Sequence, residues 1–175
     1  MVGVVVAVSF AGALPSGPVR ADRREGLPRE SSWRSLADET EFLVLLGFAS
    51  EDAAREDLRL LVENENPSAY DALPSAVSHV QVEHSHGVVL DGVPMGGYVA
   101  VARTVANPGY GHEAGEILEE TVSTFAQLPG YCGHLEGFNE AIEEEAWAFV
   151  FASSETDIPI PLNSEVRVRV YRRIS

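Results

Sequence analysis

The sequence predicts an α+β protein built from two similar halves whose antiparallel sheets cover one another. Three observations predict it. Residues 97–153 read strand, helix, strand, turn, strand. The same plan can be followed through residues 2–86, with a different helix missing. Glu41-Phe-Leu-Val-Leu-Leu-Gly-Phe-Ala-Ser-Glu51 and Ala146-Trp-Ala-Phe-Val-Phe-Ala-Ser-Ser-Glu155 occupy corresponding slots in the two halves. Neither half has both helices, so each sheet alone would leave apolar surface bare. The expected halves are residues 1–92 and 93–175, divided at the flexible joint Asp91-Gly-Val-Pro-Met-Gly-Gly97.

In chain order, Val4-Val-Val-Ala-Val-Ser-Phe10 reads as a buried strand. The competing reading is an export signal, because Pro18-Val-Arg-Ala21 resembles a cleavage site, although no Arg or Lys precedes the apolar run. A cytoplasmic location follows from the strand reading. Residues 11–30, with Gly12, Pro15, Gly17, Pro18, Gly26 and Pro28, form an irregular connector. Residues 31–36 and 41–48 are a strand pair, and the second is apolar on both faces. Ser50-Glu-Asp52 opens a helix over 51–64, whose acidic first turn suits the helix dipole. Residues 77–86 are extended.

In the second half, Tyr98 to Ala106 is a β-branched strand broken by Asn107-Pro-Gly-Tyr-Gly111. Ala114, Ile117, Leu118, Thr121, Val122, Phe125 and Leu128 then recur at helical spacing over 112–128, and Pro129-Gly130 ends the helix. Strands follow at 131–138 and 146–153. Trp147, Phe149 and Phe151 share one face of the second. Asp157-Ile-Pro-Ile-Pro161 is no helix, because its prolines forbid one, and 166–172 is the last strand.

Composition narrows the function. All 12 basic residues are arginine against 27 acidic ones, for a net charge of −15. Such a field repels phosphate backbones and anionic lipid, which argues against nucleic-acid or membrane-surface binding. Arg167, Arg169, Arg172 and Arg173 read as the solvent face of the last strand. A single cysteine, Cys132, rules out an internal disulfide. No apolar run is long enough to cross a membrane as a helix.

The order strand, helix ending in Leu128-Pro-Gly-Tyr131, hairpin, aromatic strand and Ser-Ser-Glu155 resembles the dimeric α/β-barrel superfamily, and within it the antibiotic-biosynthesis-monooxygenase-like domain. The resemblance implies two ferredoxin-like halves whose antiparallel sheets pair into a barrel, here supplied by one chain. It implies binding of a small apolar or aromatic molecule, with cofactor-independent oxygenation as one activity and haem degradation as another in the family. It also implies an asparagine and a tryptophan facing a pocket. Here the aromatic strand carries Trp147 but no asparagine; the nearest, Asn139, falls in the hairpin turn, and residues 98–106 have none.

The catalytic candidates are therefore His134, Asn139 and Trp147. Facing a pocket, His134 could serve as a general base or an iron ligand. Strict alternation puts it with Cys132, opposite an apolar face of Tyr131, Gly133 and Leu135, and so away from the core. Tyr98, Phe125, Phe149 and Phe151 are the candidate wall for a flat apolar ligand, in a pocket between sheet and helix. His84 and His86 share a strand face and are weak metal candidates, two ligands where a mononuclear centre wants at least three. Glu140, Glu143, Glu144 and Glu145 read as a solvated acidic turn. No cofactor is expected. The rival reading is a non-catalytic module that self-associates through sheet faces as a homo-oligomer, and a third is haem or metal binding through the histidines.

Overall fold

The β-branched run at the N-terminus extends because its side chains pack well on a pleated surface. It becomes the strand on which the first half is assembled. In the computed structural model, which describes residues 2–12, 30–56, 74–87, 97–154 and 165–174, the strands are β1 (Val4–Ala11), β2 (Glu30–Ser35), β3 (Glu41–Phe48) and β4 (Pro74–His86). The second half supplies β5 (Tyr98–Val105), β6 (Tyr131–Asn139), β7 (Ile142–Ala152) and β8 (Arg167–Arg173). The long helix Gly111–Phe125 lies between β5 and β6.

The strands close into a barrel in the order β1-β3-β2-β8-β5-β7-β6-β4, and every pairing is antiparallel. The ring divides into two runs of four. Numbered within its own half, each run has the order 4-1-3-2, the ferredoxin-like arrangement. The runs join at two seams, β4 with β6 and β2 with β8. The two sheets thus meet edge to edge as well as face to face, which removes every open edge among these eight strands.

Three apolar clusters result. The barrel interior holds Val5, Trp33, Leu43, Leu45, Val80, Val99, Leu135, Trp147, Phe149, Phe151 and Tyr171. Outside β1 and β3 lie Val4, Val6, Val8, Phe10, Phe42, Val44, Leu46 and Phe48, with Ala54 of the helical residues 51–56 upon them. The doubly apolar reading of β3 is met in this way. On the other half, Ala114, Leu118, Val122 and Phe125 of the long helix pack on Ala100, Ala102, Ala146, Ala148 and Val150. Alanines on the sheet let the helix sit close.

The expected helix over 112–128 ends at Phe125. Gln127 N–H and Leu128 N–H bond three residues back, to Thr124 and Phe125, so the final turn tightens. Leu128-Pro-Gly-Tyr131 is then a turn closed by the Tyr131 N–H on the Leu128 carbonyl, with Gly130 at φ +86 in the slot that requires it. Residues 13–29, most of the expected helix 51–64, the 92/93 boundary and the segment Asp157–Pro161 lie outside the described residues.

Two bulges change which face residues occupy. In β4 the register shifts between Val82 and His84, so Val80 and Val82 point inward while His84 and His86 point outward. In β6 it shifts between Tyr131 and Gly133, which puts Tyr131 on the same outer side as His134 and turns Cys132 toward the interior. The strict alternation expected from sequence fails at that position for this reason.

The β4–β6 seam depends on one residue without a side chain. A Cβ on Gly137 would meet the Gln81 carbonyl oxygen at 1.8 Å, and backbone cannot move aside cheaply. Gly137→Ala is expected to lower stability by roughly 3 kcal/mol, measured by denaturant unfolding. A change under about 1 kcal/mol would show that the seam is looser than its register implies.

Candidate functional site

The interior is filled by Trp33, Phe149, Phe151 and Leu135, none more than 1% exposed. Toward the end where β1, β2, β5 and β6 finish, the lining turns polar and a cavity of about 380 Å³ opens. Leu43, Val101 and Trp147 form its apolar wall, and Glu41, Arg103, Arg167, Arg169 and Tyr171 its charged and hydroxylated one.

Glu145 stands behind one side, in contact with the lining residues Trp147 and Arg103. It belongs to the inward phase of β7, two residues before Trp147, and is buried at 6% exposure. Its Oε2 accepts from Asn139 Nδ2 at 2.5 Å and from Trp147 Nε1 at 2.9 Å. Asn139 in turn accepts the Ala141 N–H at 3.0 Å through Oδ1, which fixes the amide's orientation. The Arg103 guanidinium lies 3.9 Å from Glu145 Oε1 and 5.6 Å above the Trp147 ring. A buried carboxyl group needs such partners, since burial without them is costly.

Glu41 organises the other side. It accepts from Tyr171 Oη at 2.8 Å and from Arg169 Nη1 at 2.5 Å. Burial, and then the Glu41 carboxylate, push the Tyr171 phenol far above its ordinary range, so it remains a donor. Glu41 and Glu145 are counterparts: the offset that aligns Ser50-Glu51 with Ser154-Glu155 also aligns them.

Of the catalytic candidates, Trp147 lines this mouth, and Asn139 is joined to it through Glu145 behind the lining. His134 is not with them. It lies on the outer face of β6, where Tyr131 Oη is 2.6 Å from Nδ1 and His86 is its cross-strand neighbour, ring centroids 6.0 Å apart. His84 and Glu136 are paired beside them. Burial first, then His86 and His84, hold the His134 imidazolium below its ordinary pKa, and burial raises Glu136. Among the described residues no group of three or more His, Cys, Asp or Glu is placed to hold a metal ion.

The ligand-wall candidates separate. Phe149 and Phe151 are fully buried inside the barrel, whereas Phe125 lies outside it beneath the long helix. Tyr98 is half-buried on the outward phase of β5, beside Ala100 and Ala102. The expected pocket between sheet and helix is nearly closed at Phe125 and Leu128, where about 10 Å³ remains. Farther along the helix a cleft of about 300 Å³ opens, lined by charged groups including Glu83, His84, Glu119 and Glu136. Trp147 borders the barrel mouth instead.

Sequence reasoning passed over Glu145, placed in a solvated turn, and over Arg167 and Arg169, placed on a solvent face. The missed signal was phase: Glu145, Trp147, Phe149 and Phe151 are alternate residues of one strand. The arginines are exposed, yet they share the face of Tyr171 that looks into the mouth, while Val168 and Val170 pack outside.

No family model matches the chain, and no curated protein sequence does. Solved structures do match. An anthrone oxidase-like protein aligns at 14% identity with a TM-score of 0.66, over 99% of this chain and 92% of that one. A ferredoxin-fold protein related to antibiotic biosynthesis monooxygenases, from Listeria monocytogenes, aligns at 11% identity and 0.58, over 99% and 96%. A heme-binding protein from Thermus thermophilus aligns at 13% and 0.58, over 100% and 92%. At such identities the likeness is one of fold. The chain shares their fold, with two ferredoxin-like halves in one polypeptide whose sheets close into a single α/β barrel.

The histidine cluster on the outer face generates a pH prediction. His134 binds its proton less readily folded than unfolded, so its contribution to stability is present above the ordinary value of 6.5 and is lost as pH falls below it. Glu136, shifted upward, acts in the opposite sense. His134→Gln is expected to flatten the fall in melting temperature between about pH 7 and pH 5. An unchanged slope would remove His134 as its source.

Proposed function

We propose that this protein binds a small aromatic molecule at the barrel mouth and oxidises it with dioxygen, using its own residues and no cofactor. One observation carries the reading. Asn139 and Trp147 both donate to one oxygen of a buried carboxyl group, and the other oxygen is left beside Arg103. That arrangement suits a general base held in a fixed orientation. The cavity volume, about 380 Å³, falls in the range of small-molecule sites. The fold neighbours, one of them anthrone oxidase-like, support the same chemistry.

In this reading the ring lies against Trp147, Leu43 and Val101. An acidic C–H or O–H of an electron-rich substrate gives its proton to Glu145 Oε1, and Arg103 stabilises the negative charge that develops on the substrate oxygen. The electron-rich anion then reacts with dioxygen. For a ring CH₂ the balance is conversion to C=O, with one oxygen atom retained and the second leaving as water. Tyr171, held as a phenol, donates hydrogen bonds but takes no proton. The two-half division, residues 1–92 and 93–175, belongs to the proposal: the second half supplies Glu145, Asn139, Trp147 and Arg103, and the first closes the opposite wall with Glu41 and Leu43.

Oxygen uptake with anthracen-9-one as the probe tests this. Glu145→Gln is expected to lower the rate by about 10²- to 10⁴-fold while binding changes little, because the amide keeps an acceptor for Asn139 and Trp147. Uptake that persists in the variant would rule out Glu145 as the base. Binding by the native protein without uptake would favour the non-catalytic module.

A further inference from the structure

The mouth brings three arginines, Arg103, Arg167 and Arg169, beside three carboxyl groups, Asp38, Glu41 and Glu145, and the pairing among them is uneven. In the β5–β8 ladder Arg103 and Arg167 are direct cross-strand partners, so two guanidinium side chains leave neighbouring positions on one face. Like charges so placed work against the pairing. None of the acids beside Arg167 engages it. Glu41 holds Arg169 and Tyr171, and Asp38 accepts from the Thr40 N–H and hydroxyl. Glu145 gives one oxygen to Asn139 and Trp147, and its other stands 3.9 Å from Arg103, beyond hydrogen-bond distance. Arg167 lines the same cavity, is exposed, and pairs with no carboxylate among the described residues.

The setting sharpens the point. This chain carries 27 acidic residues against 12 basic, and an arginine elsewhere on it finds a carboxylate readily: Arg55, on the outer surface, is bonded to both Glu51 and Glu140. At the mouth, three arginines converge on one cavity with a ring-sized apolar wall behind them. A guanidinium offers a planar fork of donors that fits a carboxylate with two parallel bonds. A second guanidinium beside it adds charge without adding a competing acceptor.

We infer that the ligand of the mouth is an aromatic carboxylate, its ring on Trp147 and its carboxylate on Arg167 with Arg103 alongside. This rests on the reading of the mouth as the ligand site, and adds to it the ligand's charge and the residue that selects it. Arg167 sits at the start of β8, on the rim, so it reads a substituent at the outer end of the ring while Glu145 works deeper in. The protein's overall negative charge repels anions in bulk solution, so the local arginines also decide which anions are admitted.

The test compares 2-naphthoate with 2-naphthamide, which share ring and size but differ in charge, by calorimetric titration of the full chain at low salt. The carboxylate is expected to bind about tenfold more tightly or better, and added salt narrows the gap. Arg167→Gln is expected to bring naphthoate down to the affinity of the amide while leaving the amide unaffected, and Arg167→Lys keeps part of the preference. Equal affinity of the native protein for both ligands would overturn the inference and leave the mouth standing as the site. Failure of both ligands to bind would overturn the site reading as well. A preference that survives Arg167→Gln would overturn the role of Arg167. The ligand comparison is made on the native protein, so it does not depend on how a variant folds.

Discussion

Closure of the ring is the constraint on which the rest of this structure depends. Either half alone would end in two strands with unsatisfied N–H and C=O groups, and such edges invite pairing with anything extended. Here β4 finds β6 and β2 finds β8. The pairing satisfies the backbone and at the same time turns the inner faces of both sheets toward one core. Trp33, from the first half, packs against Phe151, from the second, with ring centroids 6.0 Å apart. The aromatic interior is therefore a shared product of two incomplete units. The fit is close at the β4–β6 seam, where Gly137 leaves room for the backbone of β4.

A closed barrel filled by large side chains has space for a ligand only where the filling stops. In this chain the inward-facing series run from aromatic to polar along the strands: Phe151, Phe149, Trp147, Glu145 on β7, and Tyr171, Arg169, Arg167 on β8. The polar groups meet at one end because antiparallel strands bring the start of β7 beside the end of β6 and the end of β5. Burying a carboxyl group there is tolerated because Trp147 and Asn139 satisfy one of its oxygens. Those donors also orient the group, so the bonds that make its burial tolerable are the ones that fix how Glu145 points.

Much of the architecture was legible from residues alone. The doubly apolar strand 41–48, the amphipathic helix, the Leu128-Pro-Gly-Tyr131 turn and the repeated order of elements each have a local physical cause, and each is present. The site was legible only in part. Asn139 and Trp147 could be named from the resemblance, but their meeting at Glu145 depends on hairpin register. His134 drew attention because histidines often do chemistry. Its neighbours are instead His86, Tyr131 and Glu136 on the outer face, brought together across a seam between segments about 50 residues apart.

The sequence by itself determined the elements, the two-half plan and the periodicities that bury one face of each strand, because these follow from propensities and spacings within short stretches. Only the tertiary structure decided where the halves join, which bulges reverse a face, and which polar residues lie at the same mouth. Those outcomes rest on register between strands distant in sequence. A shift of one residue there exchanges inside for outside, and no local pattern records it.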